Sequence, residues 1–190
     1  IKTDGSLDDG MELVSHPCTM GYHINEFPWE DIMHRAIRQG YRSHQTSTCG
    51  LHLHVNRNAF SDNQEEQDEV ISRILYFVEH HWNELLKFSR RSEYTMNRWA
   101  ARYGYEHTPK AIMDKAKKGG NGRYAAVNLC NYHTVEFRLF RGTLKYNTFI
   151  ATIQLVNRIC DAAMYNTDDS IAKLSWSDFV ADVTEPELIQ

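Results

Sequence analysis

The segment GLHLHVN, residues 50–56, sets Leu51, Leu53 and Val55 out of step with His52, His54 and Asn56. A two-residue period fits a β-strand and no helix, because successive side chains of a strand point to opposite faces. One face is apolar and built for a core; the other displays imidazoles. The division recurs in TVEFRLF, residues 134–140, where Val135, Phe137 and Leu139 fall on the buried side and Glu136, Arg138 and Phe140 on the other. In YAAVNLC, residues 124–130, Val127 and Leu129 oppose Asn128, and in GMELVS, residues 10–15, Met11 and Leu13 oppose Glu12. The expected strands are therefore 10–15, 50–57, 124–130 and 134–141, with a short turn at 131–133 joining the last two.

Other stretches repeat at helical spacing. Val70, Ile71, Ile74, Leu75, Val78, Trp82, Leu85 and Leu86 lie on one broad face and predict a long helix capped by Ser61 or Asp62 and running to Phe88. Further helices are expected over 28–39, with Pro28 in the first turn, over 147–165, and more weakly over 175–183. Residues 90–122 read as short helical pieces and a basic, glycine-rich loop, Lys117–Arg123. Strands grouped with long apolar helices make an α+β fold: an antiparallel sheet with helices against one face and chemistry on the other. With 190 residues, 42% of them hydrophobic, the chain has enough apolar surface for one core and is most simply a single domain.

A net charge of -4 with both signs interspersed lacks the basic face of a nucleic-acid binder, so the expected partner is small or peptidic. Cys18, Cys49, Cys130 and Cys160 form no CxxC pair and read as free thiols in a reducing compartment, hence a cytoplasmic location. No apolar run is long enough to span a bilayer, so no membrane partner is expected. A phosphate-binding GxxxxGK[ST] loop is missing, which excludes a P-loop enzyme.

The non-core strand faces offer two imidazoles, two carboxylates, an amide and a guanidinium. Strand faces that merely meet water favour Thr, Lys, Ser and Gln. Imidazole with carboxylates makes a divalent-metal site, oxygen-rich shells favouring magnesium or manganese and nitrogen-rich ones zinc. A guanidinium beside the metal suits phosphate, which accepts two parallel hydrogen bonds from the planar fork. Together they point to a nucleoside triphosphate. Two alternatives stay open: a zinc-dependent hydrolase using the His-x-His strand with Glu136 or Glu12 activating water, and a catalytically inactive nucleotide- or peptide-binding protein.

Four blocks in order, DGSL, GMELVSHP, CGLHLHV and RYAAVNLCNYHTVEFRLFRGTL, resemble the amidoligase family, a branch of the glutamine-synthetase-like carboxylate-amine ligases. The resemblance implies a glutamine-synthetase-like catalytic domain with a curved antiparallel sheet. It also implies ATP with Mg2+ or Mn2+, and ligation of a small-molecule or peptide carboxylate to an amine through an acyl phosphate. Carried over by motif, Glu12, His52 and Glu136 would hold metal, and Arg138 and Arg141 would act on phosphate or acyl phosphate. His54, Asn128, Asp4, Ser6 and Ser15 would line the substrate or its surroundings, with Asp4 a candidate general base. Members of the family usually open on a Glu-x-Glu strand, which nothing ahead of Asp4 supplies. The expectation is one amidoligase-like domain over residues 1–190, lacking its first strand or strands.

Overall fold

The computed structural model describes Lys2 and residues 10–189. In chain order the elements are α1 (Met20–Asn25), α2 (Trp29–Arg38), β1 (Gly50–Asn56), α3 (Gln64–His80), α4 (Trp82–Ser89), α5 (Glu93–Trp99) and α6 (Pro109–Lys117), then β2 (Val127–Asn128), β3 (Thr134–Arg141), α7 (Tyr146–Tyr165), α8 (Asp168–Lys173), α9 (Trp176–Val180) and α10 (Pro186–Ile189). The three strands form one antiparallel sheet in the order β1-β3-β2, so the architecture is α+β with a small sheet and many helices.

Most helices begin where a side chain can accept the free backbone N–H groups of a first turn. Asn63, one residue beyond the expected cap, accepts from the N–H groups of Glu65 and Glu66 and starts α3. The apolar stripe from Val70 to Phe88 is carried by two helices, not one. The chain leaves helical geometry at His81 (φ -103°, ψ 31°), whose buried imidazole meets the Leu174 carbonyl at 3.0 Å. The break lets α4 turn toward β3, where Phe88 meets Phe140 edge-on at 6.1 Å. Short α1 and α8 were not expected, since six residues are too few to show a stripe; their caps Thr19 and Thr167 were the only local signal.

Residues 10–15 are no strand. Glu12 makes an isolated bridge to Lys2, and Met11 and Leu13 are each 40% exposed. Alternation there lacks what makes a half-buried strand, namely a core for its apolar side to meet. The expected strand 124–130 is reduced to Val127–Asn128, while β3 keeps its expected bounds.

One irregularity decides what the sheet presents. Val55, Leu53 and Leu51 of β1 pair with Val135, Phe137 and Phe140 of β3, so the single residue His52 faces both Arg138 and Leu139. This is a β-bulge, with one extra residue on β3. Beyond it the alternation of β3 is reversed: Phe140 joins Leu51 on the apolar face and is fully buried, correcting the outward orientation expected for it. Arg141 correspondingly pairs with Gly50 on the face that carries His52, His54 and Glu136. Leu139 and Phe140 both enter the core with Ile71, Ile74 and Leu75 of α3 and Val156 and Ile159 of α7. A second cluster joins Trp29 and Met33 of α2 to Phe149, Ile150 and Ile153 of α7. All four cysteines are free thiols, and among the described residues no helix is long and apolar enough to cross a membrane.

Candidate functional site

Glu136 is at the centre of the polar face and is itself almost fully enclosed, its side chain 5% exposed. A carboxylate so placed must be satisfied by donors, because burying an uncompensated charge is costly. Asn128, opposite it on β2, donates to Oε2 at 2.6 Å, and Asn131 in the following turn donates at 3.3 Å. Arg138 Nη1 donates to Oε1 at 2.6 Å. Burial alone would raise the carboxyl pKa; the Asn128 hydrogen bond, then the charge of Arg138, outweigh it and hold Glu136 below its ordinary value. Asn128 is 2% exposed and its Oδ1 accepts from the Cys130 N–H, so both ends of its amide are engaged within the chain. It orients Glu136.

His52 and His54 approach the same oxygen, at 3.3 Å from Nδ1 and 3.7 Å from Nε2 respectively. Burial first, and then the charge of Arg138, push the His52 pKa down to about 4, so its contact with Glu136 at neutral pH is one of a neutral ring. Its Nδ1 also lies 3.4 Å from Arg138 Nη1. His54 is exposed, with Nδ1 3.0 Å from the Thr134 hydroxyl.

Toward the other end of β3 the charge changes sign. Arg90 Nη2 donates to the Arg141 carbonyl at 3.3 Å, Arg141 Nη1 to the Arg90 carbonyl at 3.4 Å, and Arg91 Nη2 to the Phe140 carbonyl at 3.1 Å. Among the described residues no carboxylate pairs with Arg90, Arg91 or Arg141. Gly50 sits beneath them: a Cβ there would lie 2.8 Å from both Arg91 Nη2 and His52 Nε2. Burial, then the charges of Arg138 and Arg141, lower the Arg91 pKa to about 10. A polyanion suits this end.

The structure thus brings together His52, His54, Asn128, Glu136 and Arg138, and adds Arg141 through the bulge. Glu12 is exposed and held to Lys2, and among the described residues no three acids, histidines or cysteines form a group able to hold a metal, so Glu12 is not joined to His52 and Glu136. Ser15 is half-buried in the irregular stretch before α1; Asp4 and Ser6 lie outside the described residues. One buried carboxylate and two imidazoles do not make a closed cage. Both oxygens of that carboxylate are already taken by Asn128, Asn131 and Arg138, so these side chains do not by themselves fit a metal ion. The arginines at 90 and 91 were not anticipated; the signal available was a pair of adjacent guanidinium groups at a helix end with no acid beside them. The basic loop borders a separate cavity of about 460 Å3, lined by Arg57, Asp68, Tyr103, Lys117 and Cys130, where Lys117 pairs with Asp68 at 2.7 Å.

A family model described as "Putative amidoligase enzyme" matches residues 2–160. Among curated proteins and among solved structures nothing matches the chain.

Proposed function

The chain belongs to the amidoligase family, and from that premise we propose that it is a ligase forming an amide from a small-molecule or peptide carboxylate and an amine. The reaction consumes ATP in the presence of Mg2+ or Mn2+, passes through an acyl phosphate, and takes place on a glutamine-synthetase-like domain in the cytoplasm. The observation that carries the reading is the grouping of Glu136, Arg138, His52 and Arg141 on one face of the sheet.

A free carboxylate resists an amine because resonance stabilises it and oxide is a poor leaving group. Phosphorylation removes both obstacles. A carboxylate oxygen bonds to the γ-phosphorus as the bond to the bridging oxygen breaks and ADP departs. The amine nitrogen then attacks the acyl carbon, phosphate leaves with the carbon–oxygen pair, and the ammonium proton passes to a base, for which Asp4 is the candidate. Arg138 and Arg141 would donate to the phosphoryl oxygens, where charge grows in the transition state. Arg138 is held for this by Glu136, which is in turn fixed by Asn128. A divalent metal ion would enter bound chiefly to the ATP phosphates and would supply charge neutralisation there; Glu136, already met by Asn128, Asn131 and Arg138, would not be free to hold it. His54 and Ser15 are the proposed substrate-side contacts.

The test is ADP release by the purified chain across a panel of amino acids and short peptides, with ATP and magnesium. Release that requires a carboxylate and an amine together, with the amide seen by mass spectrometry, is the expected result. Release that ignores both partners, or amide hydrolysis by protein carrying tightly bound zinc, overturns the reading.

A further inference from the structure

The cationic end of β3 has more positive charge than the reaction outlined above uses. Arg90 and Arg91 come from the turn between α4 and α5, far from the sheet in sequence, and the chain takes on backbone strain to deliver them. Arg90 caps α4 at φ 62°, and among the described residues it is the one non-glycine with positive φ. Helix ends in this conformation favour glycine, because a side chain there costs about 1 kcal/mol or more. An arginine in that place points to a need for its side chain. Its guanidinium ties down the Arg141 carbonyl, and the strained turn aims the next residue, Arg91, over Gly50.

Arg91 then approaches His52, Arg138 and Arg141. Arg91 Nη2 and His52 Nε2 share the space above Gly50, the charges of Arg138 and Arg141 act on Arg91, and among the described residues the buried Nε atoms of Arg91 and Arg138 have no hydrogen-bond partner. Among the described residues the only acceptor that Arg91 Nη2 meets is the Phe140 carbonyl. Three guanidinium groups at one place, with donors left over, repel one another; Glu136 answers Arg138 alone, and among the described residues no carboxylate answers Arg91 or Arg141. The Arg138 guanidinium also lies over the Tyr124 ring at 5.8 Å, which limits where its fork can turn.

We propose that Arg91 is an anion-binding residue that completes, with Arg138 and Arg141, a three-arginine seat for a phosphoryl group above Gly50. The site taken is the one assigned to the ligase reaction, so the proposal rests on that reading for its biological ligand, though not for its chemistry. Gly50 is glycine because a Cβ would occupy the space that Arg91 and His52 share. The ligand class is a phosphate dianion, either the end of a nucleotide or a free or acyl phosphate.

Thermal unfolding of the whole chain tests this, with inorganic pyrophosphate and, separately, ATP with magnesium as probes at matched ionic strength. Wild-type Tm rises with pyrophosphate. For Arg91→Gln the half-saturating concentration increases about tenfold, the size expected for one charge-assisted hydrogen-bonding fork. Arg98→Gln, which removes an exposed guanidinium stacked on Trp99, responds as wild type does. Ligand-free Arg91→Gln is no less stable than wild type, because a repulsion has been removed; a purely structural role gives the reverse, a lower ligand-free Tm with an unchanged pyrophosphate response. If Arg91→Gln does not fold, Arg91→Lys, which keeps the charge and loses the fork, is expected to weaken the response about threefold. Loss of the pyrophosphate response alone assigns the seat to a free or acyl phosphate, and loss of both responses assigns it to nucleotide phosphates. An unchanged half-saturation in the Arg91 variants, or no pyrophosphate response in wild type, overturns the proposal. A phosphate response that needs Arg91 in a protein that forms no amide keeps the seat and removes the ligase; turnover indifferent to Arg91 does the opposite.

Discussion

The two ends of β3 solve opposite electrostatic problems. At the Glu136 end the charge is neutralised from within: two asparagines, a guanidinium and two imidazoles surround one carboxylate, and its depressed pKa records their success. At the Arg141 end Arg90 and Arg141 answer each other's carbonyls, Arg91 answers that of Phe140, and no described carboxylate answers any of the three. The first end is finished as it stands. The second is complete only with an anion, and the contrast locates ligand chemistry better than any single residue does, because a protein interior tolerates uncompensated charge poorly.

The comparison is broken most severely at its satisfied end. Glu136→Ala leaves a buried guanidinium and two amides without their acceptor and should cost about 3–5 kcal/mol in urea unfolding, the usual penalty for removing one partner of a buried pair. Glu136→Gln should cost less, since it keeps an acceptor oxygen. Arg138→Met crosses both ends at once: it should lower kcat about a hundredfold or more while raising the KM for ATP far less, because its donors act on charge that develops during transfer. Gly50→Ala acts at the cationic end and reaches the other only through His52. Its methyl group must push aside Arg91 and His52, and a loss of about 1 kcal/mol in stability together with weaker pyrophosphate binding is expected; unchanged binding would show that the space above Gly50 is not used.

The smallest effect concerns pH. His52 is held to about 4, below the ordinary imidazole value near 6.5, so between those limits the unfolded chain binds a proton that the folded chain refuses. Stability therefore falls as pH drops from about 6.5 to about 4. The sign for Glu136 is the same with a lower window: its contribution is present above the ordinary carboxylate pKa and is lost as pH falls through its depressed value. His52→Gln should flatten the upper part of the decline, measured by Tm at a series of pH values, and leave the lower part in place.

Much of the apolar half of the sheet was legible in the sequence, because core contact enforces alternation: β1 and β3 fall where Leu51, Leu53, Val135 and Phe137 put them. The same rule misplaced Phe140, since a bulge arises from the pairing of two strands and leaves no mark in either one. It also drew a strand at 10–15, where alternation has no core behind it. The polar cluster was legible in part for a related reason. Glu136, His52, Asn128 and Arg138 lie on strands whose faces can be counted, whereas Arg91 reaches the site through a left-handed turn after a helix, and turn geometry of that kind has no period to read. The interruption at His81 was hidden likewise, because α3 and α4 present apolar residues to one core on both sides of it.

The extra residue in β3 lets one short stretch of strand serve both faces at the same level. Deleting Arg138 or Leu139 would restore one-to-one pairing with Phe140 still against Leu51 and Arg141 still against Gly50, at the cost of the guanidinium in the first case and of a core leucine in the second. A loss of length at that point is therefore felt through the one side chain it removes, while the two flanks of the strand keep their faces.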